Sequence, residues 1–578
     1  MKRNWILPSG VEKEKYHLLS KKLNLSPLLI QTLHNRGIKE ENIQEFLSPR
    51  LENLCDPFLM KGMDLATERI LRAISNREKI LIYGDYDVDG ISAASILLLF
   101  LRQAKVAGYF YIPHREREGY GLNRNAVKKA HDKGMDLIIT CDCGSSSFEE
   151  IEYAKDLGVD VIVTDHHQIR GSLSPSCITL NPNQPDCPYP FKELAGVGVV
   201  FKLVQALAKK PGMREIDPYQ YLDLVALGTI ADVVPLRGEN RILAKHGLAS
   251  LKRTSNWGLR ALVSVGGLSG EGIDETRVGF VLAPRLNACG RLSLAQKGVK
   301  LLLSTSLSEA FRLARDLDRE NGKRQRMAEK MRREAEELLP SHKGRVIVLS
   351  KRGWHPGVIG LVASYIRKKY FRPVVILSLD GDTARGSARS IPKFSIFEGL
   401  ESCQDLLLSF GGHRMAAGMR LPVENIPELE RRLNYLASQT LSSEDLTPSY
   451  SVDARVDLEE LDERLFENLE LLSPYGPENP APLFLAEDVY FSSPLRKLSR
   501  GCLRTSLSSK KGGKFEAVAF SLENQEKILE HHPIMVIFTP RITRFRNKRS
   551  HQLEIMGWKE GGEDEGSIQK NQEYTGFS

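Results

Sequence analysis

The stretch "ILIYGDYDVDGIS", residues 80–92, decides how this chain folds. An apolar, β-rich segment runs into Asp85, Asp87 and Asp89 and is closed by Gly90. Like charges this close repel, and a carboxylate at a buried strand end is costly without a partner. In an extended segment, residues two apart face the same side, so the three acids would point together. The alternative is an acidic turn left in solvent.

Outward from this stretch the same ending recurs. "DLIITC" (136–141) leads into Asp142, and "VDVIVT" (159–164) leads into Asp165, His166 and His167. Between the runs, "SAASILLLFLRQAKVA" (92–107) has helical length and composition, and "SFEEIEYAKDLG" (147–158) reads as a helix stopped by glycine. Strand–helix–strand alternation predicts parallel strands packed under helices. Parallel strands carry their C-terminal ends to one edge, where open α/β sheets bind ligands. Acids dozens of residues apart therefore converge, and Asp232, in the apolar "ALGTIADVVPL", is a candidate to join them. Carboxylates with one or two imidazoles suit Mn2+ or Mg2+ better than zinc, and such ions support in-line displacement at phosphorus. A calcium loop is excluded on two counts. Its twelfth position should be glutamate but is Ile96, and a strand rather than a helix precedes it.

Composition sets the frame. At 578 residues the chain is long enough for several domains, and 41% apolar with 27% charged residues is ordinary for a globular protein. The opening "MKRNWILPSG" lacks a signal-peptide core, and "ISAASILLLFL" (91–101) is too short to span a membrane, so a cytoplasmic protein is expected. The eight cysteines are scattered, as reduced buried thiols would be. A net charge of +8 is compatible with a nucleic-acid partner without requiring one.

Beyond the first unit, residues 308–339 contain no proline and one glycine. Ala310, Leu313, Ala314 and Leu317 follow helical spacing, which predicts a continuous helix about 48 Å long bridging two domains. "RVIVLS" (345–350) opens a second α/β unit that ends in "SFGGHRMAAGM", and "SQTLSSEDLTPS" (438–449) reads as a linker. Short β-like runs at 515–522, 534–545 and 551–558 predict a small β-barrel. The polar end of the chain is expected to be disordered. The expected architecture is α/β: a parallel-sheet domain, a long helix, a smaller α/β domain and a C-terminal barrel. The expected divisions are 1–75, 76–307, 308–340, 341–440, 450–560 and 561–578.

The string "VTDHHQ" (163–168) marks a family. The chain resembles the DHH phosphoesterases, and within them the bacterial single-strand-specific 5′→3′ exonucleases. The ordered matches include "YGDYDVDGISA", "IPHREREGYGLN", "TCDCGSSS", "LVALGTIADVVPL", "APRLNACGRL", "GWHPGVIGLVAS", "GSARS", "GGHRMAAG" and "LLSPYGPENPAP". The resemblance implies that Asp87, Asp89, Asp142, His166 and Asp232 bind one or two Mn2+ or Mg2+ ions, with Asp142 as the bridge. It implies supporting catalytic roles for Asp85 and Asp165, and for His167 either a contact to the scissile phosphate or a place behind the metal ligands. The related pyrophosphatase branch has a metal-binding histidine where this chain has Tyr83, which puts the ion count in question. On the substrate side it implies Arg115, Arg285, Asn287, Arg291, Ser387, Arg389 and His413, with Phe545 of "PRITRFRNKR" stacking on bases in an OB-fold barrel. His355 reads equally as a buried structural histidine or a substrate contact. Further implications are single-stranded DNA as substrate, release of 5′-mononucleotides, and service in recombination and repair. Partnership with a single-stranded-DNA-binding protein and repair helicases, and a monomeric state, are also expected. Two other readings stay open: a phosphodiesterase for short oligonucleotides or cyclic dinucleotides, and a non-catalytic single-strand-binding scaffold.

Overall fold

The computed structural model describes residues 4–8, 13–115, 117–169, 171–269, 272–292, 295–339, 344–498, 502–520, 532–545, 548–560 and 568–571. The opening stretch forms the first strand of a five-stranded parallel sheet, Ile80–Gly84. Gly108–Tyr111, Leu137–Cys141, Asp160–Thr164 and Ile178–Leu180 are its second to fifth strands. Their spatial order is second, first, third, fourth, fifth. The first and third strands are buried along their whole length, as expected when helices cover both faces of a sheet. Ile80 and Ile82 pack on one side with the helices Val88–Gln103 and Gly196–Ala208. Leu81, Tyr83 and Ile138 pack on the other with Val127 and Ile151.

The first helix of this sheet domain's core begins at Val88, four residues before the start expected from composition. Asp87 caps it, accepting the N–H groups of Asp89 (2.9 Å) and Gly90 (3.1 Å). The three acids therefore do not lie on one extended segment. Asp85 follows the strand, Asp87 is the cap and Asp89 sits in the first turn. A local capping bond overrides the two-residue alternation.

The helix Leu307–Leu338 spans 32 residues and packs against both units it joins. The second unit is a five-stranded mixed sheet. Ile347–Arg352 and Val374–Asp380 pair in parallel, and Thr383–Arg389, Ala416–Pro422 and Ser409–His413 follow antiparallel. The segment expected as a linker is docked rather than loose. The helix Ile426–Thr440 enters it, Arg345 reaches the carbonyls of Ser438 and Leu441, and Arg372 donates to Leu446 O (2.7 Å).

The barrel closes because Phe484–Phe491 pairs with both Ile534–Phe545 and Cys502–Ser509. Lys548–Glu560 and Lys514–Phe520 complete the ring. Residues 28–47 share its core: Leu29, Ile30 and Leu33 pack with Phe466, Phe484 and Phe538. A buried Arg36 makes a two-pronged pair with Asp453 (2.8 and 2.9 Å). Arg241, from the first domain, is buried among the carbonyls of Phe46, Leu471 and Leu472, each at 2.8 Å. Of the polar segment 561–578, expected to be disordered, residues 568–571 are described and form a strand. Ile568–Asn571 pairs in parallel with Trp5–Pro8, and Asn4–Ile6 pairs with Ser449–Ser451. No helix among the described residues is long and apolar enough to cross a membrane.

A candidate metal centre facing an arginine patch

The strand order of the sheet reverses at the first and third strands, which places a binding crevice beyond their C-terminal ends. Asp85, Asp142 and Asp165 follow the first, third and fourth strands, and each is set by the same device. The N–H of Asp85 donates to Cys141 O, that of Asp142 to Thr164 O and that of Asp165 to Leu180 O. The ladder thus runs one residue past each strand and brings the acids into register along the edge. Asp142 takes a left-handed backbone, φ 64°, which Asp tolerates better than most residues. Asp89 joins from below the edge. Its two oxygens accept the N–H groups of Gly196 (2.7 Å) and Val197 (2.9 Å) at the start of another helix, where the dipole favours an anion. Asp232 arrives at the end of the helix Leu222–Ala231, not at a strand end.

These side chains converge on His166. Its Nε2 lies 3.2 Å from Asp142 Oδ1, 3.6 Å from Asp232 Oδ2 and 4.0 Å from Asp89 Oδ2. Three overlapping groups have ligand atoms within 4.8 Å of one another: Asp89, His166 and Asp232; Asp142, His166 and His167; and Asp85, Asp87 and Asp142. Among the described residues, Asp85 Oδ1, Asp142 Oδ1 and His166 Nε2 are buried without a hydrogen-bond partner. Buried polar atoms are ordinarily satisfied, so three orphans in one cluster fit a divalent cation held by oxygen and imidazole.

The electrostatics agree. Burial, then repulsion from neighbouring aspartates, holds the carboxyls of Asp85, Asp142 and Asp232 well above the usual range. The same causes push Asp89 up to about 7. Burial, then the charge of His167, lowers His166 to about 4, so its imidazole is neutral and able to act as a ligand. Asp165 behaves differently. Burial opposes its charge, but the hydrogen bond from His167 and the N–H of Ser145 carry its carboxyl below the usual range. His167 Nδ1 is 2.8 Å from Asp165 Oδ1, which fixes the tautomer and leaves Nε2 for another partner.

Sequence reasoning missed several groups that hold the centre. The hydroxyl of Tyr120 lies 2.9 Å from His167 Nδ1 and donates to Asp142 O (3.2 Å). Asn181 and Asn183 donate to the carbonyls of His167 (2.9 Å) and His166 (2.7 Å). All three are neutral side chains, which give no charge pattern to read. Tyr83 is not at the centre: its buried hydroxyl donates to Gly121 O (2.8 Å) and supports the loop that carries Tyr120.

Arg115, Arg291 and Arg389 gather beside the acids. Arg115 lies over the Tyr86 ring at 5.1 Å, and Arg291 donates to Gly357 O (3.1 Å). Arg389 donates to the hydroxyl of Ser387 (3.0 Å). Burial, then the charges of Arg115, Arg324 and Arg389, lowers Arg291 to about 10. Asn287 is half-buried one turn before Arg291 on the helix Ala283–Leu292. Arg285 is engaged elsewhere, with Nε 2.9 Å from Asp318 of the long helix and a bond to Val281 O. His413 ends a hairpin strand of the second unit and is near enough to His166 for its charge to count there. His355 caps the helix Pro356–Tyr370, accepting the N–H of Gly357 (3.0 Å). Phe545 ends a barrel strand, and its side chain lies outside the described residues.

A parallel sheet with acids at its switch point and a D-H-H string after the fourth strand defines the catalytic domain of a DHH phosphoesterase. The DHH family N-terminal domain matches residues 79–229, the DHHA1 domain 343–439 and the RecJ OB domain 452–557. The single-stranded-DNA-specific exonuclease RecJ of Bacillus subtilis is 42% identical over 552 residues, covering 94% of this chain and 69% of its own. RecJ of Thermus thermophilus, solved in complex with Mn2+, superposes with a TM-score of 0.83 at 30% identity, covering 96% of this chain and 79% of that one. Its complex with Mg2+ gives 0.77 at 29% identity, covering 96% and 78%. The chain belongs to the RecJ family.

Proposed function

We propose that this protein is a metal-dependent exonuclease acting on single-stranded DNA from the 5′ end, releasing 5′-mononucleotides. The observation that carries this reading is the cluster of buried, orphaned ligand atoms facing the Arg115–Arg291–Arg389 patch. Asp87, Asp89, Asp142, His166 and Asp232 would hold the ions, with Asp85 beside them. Mn2+ or Mg2+ bound there supplies Lewis-acid stabilisation of charge at phosphorus and lowers the pKa of a water.

The chain's own residues do the rest. Asp165 holds His167 so that Nε2 contacts the scissile phosphate. Arg115, Arg291 and Arg389 clamp the terminal 5′-phosphate, which sets where the strand stops and hence the length of product. Ser387 and Asn287 add neutral hydrogen bonds, and His413 closes the cleft from the second unit. Arg285 positions the Asn287–Arg291 helix through Asp318 rather than touching substrate. The barrel, including Phe545, tracks the strand further on. We further propose the six divisions given above, a cytoplasmic monomer, service in recombination and repair, and partnership with a single-stranded-DNA-binding protein and repair helicases.

The test uses 5′- and 3′-labelled single strands, matching duplexes and a dinucleotide, with Mn2+, Mg2+ or EDTA. Metal-dependent digestion of single strands from the 5′ end is expected. Cleavage of the dinucleotide alone would favour the small-substrate phosphodiesterase. Strand binding without metal-dependent cleavage would favour the scaffold.

A pH dependence follows from Asp89. Its folded-state pKa of about 7 stands above the unfolded value of ~3.9, so this group destabilises the folded, metal-free protein as pH rises from about 4 through 7. A cation needs the carboxylate deprotonated. The rise in melting temperature on adding Mn2+ should be small at pH 5.5 and large at pH 8. An equal rise at both values would refute the assignment of Asp89.

A further inference from the structure

The helix Leu307–Leu338 carries more than a connection. Arg324 and Arg332 line a cleft of about 890 Å³ on its flank, together with Leu361 of the neighbouring helix. Among the described residues, the Nε atoms of both arginines are buried without a hydrogen-bond partner. Arg332 lies over the Tyr365 ring at 4.7 Å. Three acids line the cleft: Glu334 takes Trp354 Nε1 (2.8 Å) and Lys351 (3.3 Å), Glu329 takes Arg333 (3.3 Å) with Arg332 at 3.9 Å, and Glu337 is the third.

The neighbouring helix, Pro356–Tyr370, gives the row its spacing. Gly357 lies beside Arg291, where an added Cβ would come within 2.5 Å of Arg291 O. Leu361 is one turn on and lines the cleft with Arg324 and Arg332, and Tyr365 is a further turn on, under Arg332. Positions on this helix step by about 6 Å per turn, while Arg324 and Arg332, eight residues apart, stand about 12 Å apart along theirs. The row therefore starts at the patch assigned to the terminal 5′-phosphate and leads away from the metal centre. Burial lowers the basicity of both Arg291 and Arg324; the charge of Arg324 adds to this at Arg291, and that of Arg332 adds to it at Arg324. Orphaned guanidinium donors call for an acceptor-only, multiply charged group, which is the chemistry of a phosphate chain.

We propose that Arg324, with Arg332 behind it, forms a subsite for the extra phosphates of a 5′-di- or triphosphorylated strand. The subsite rests on the reading that the 5′ end sits at Arg291. It lets the enzyme begin on polyphosphorylated ends without prior trimming.

The test uses the full chain with Mn2+ and three strands of one sequence bearing a 5′-hydroxyl, a 5′-monophosphate or a 5′-triphosphate. In wild type, kcat/KM on the triphosphate strand should be at least equal to that on the monophosphate strand. In Arg324→Gln/Arg332→Gln the triphosphate-to-monophosphate ratio should fall at least ~10-fold. Arg324→Lys, which keeps the charge without the fork, should give an intermediate ratio and guards against misfolding of the double variant. Rejection of triphosphate ends by wild type, or an unchanged ratio in the variants, would overturn the proposal. So would inhibition by a free deoxynucleoside triphosphate that Arg324→Gln relieves while the strand ratio stays fixed; that result would assign the subsite to soluble nucleotides. Digestion from the 3′ end, seen by survival of a 5′ label, would overturn the polarity reading and the subsite with it.

Discussion

Asp142→Ala should leave no measurable metal-dependent cleavage, a loss of at least ~10³-fold, while single-strand binding persists. Asp142 is where the site's groups meet: it lies within reach of His166, His167, Asp85 and Asp87, and its Oδ1 is orphaned. The arginine patch and the barrel do not depend on it. The companion variant, Asp142→Asn, should make the metal-free protein more stable, by ~1–3 kcal/mol, because it removes a buried acid from among others that repel it. Cleavage rates, strand binding by fluorescence anisotropy and melting in EDTA separate the two effects. A fully active Asp142→Ala protein would refute the bridging assignment.

Gly196→Ala should cost cleavage about 100-fold without altering any charged group. A Cβ at this position would lie 2.7 Å from both Cβ and Oδ1 of Asp142. Room would come only by shifting Asp142 or by moving the helix start whose N–H groups hold Asp89. Either response displaces a proposed ligand. Gly198→Ala, on the same helix and with its nearest neighbour 3.2 Å away at Leu194 Cδ2, is the control and should retain cleavage within a few-fold. Mn2+ titration by calorimetry reads the difference directly. Unchanged Mn2+ affinity in Gly196→Ala would show that the helix start is free to give way.

Much of this was legible because strand ends are easy to read. The acids after the runs at 80–84, 137–141 and 160–164 converge because a parallel ladder leaves them no alternative. The trio itself was misjudged in conformation. Asp87 captures two backbone N–H groups, and so the helix starts early and the acids fan out. Asp232 reaches the cluster through helix packing, which no strand pattern announces. Tyr120, Asn181 and Asn183 were hidden because a neutral hydrogen-bond donor looks the same in a turn as at a site. Arg324 and Arg332 were hidden in a different way. On a helix dense with charge, a side chain turned into a cleft has the same spelling as one turned into water.

The Arg36–Asp453 pair has a consequence for the order in which the protein can be made. Its members lie 417 residues apart, and Leu29, Ile30 and Leu33 wait on Phe484 and Phe538 for their core. During synthesis residues 28–47 remain without these partners until Phe484 and Phe538 have been translated. Two of the carbonyls around Arg241, those of Leu471 and Leu472, also come late in the chain. A chain interrupted before Phe484 and Phe538 therefore leaves the apolar faces at Leu29, Ile30 and Leu33 uncovered.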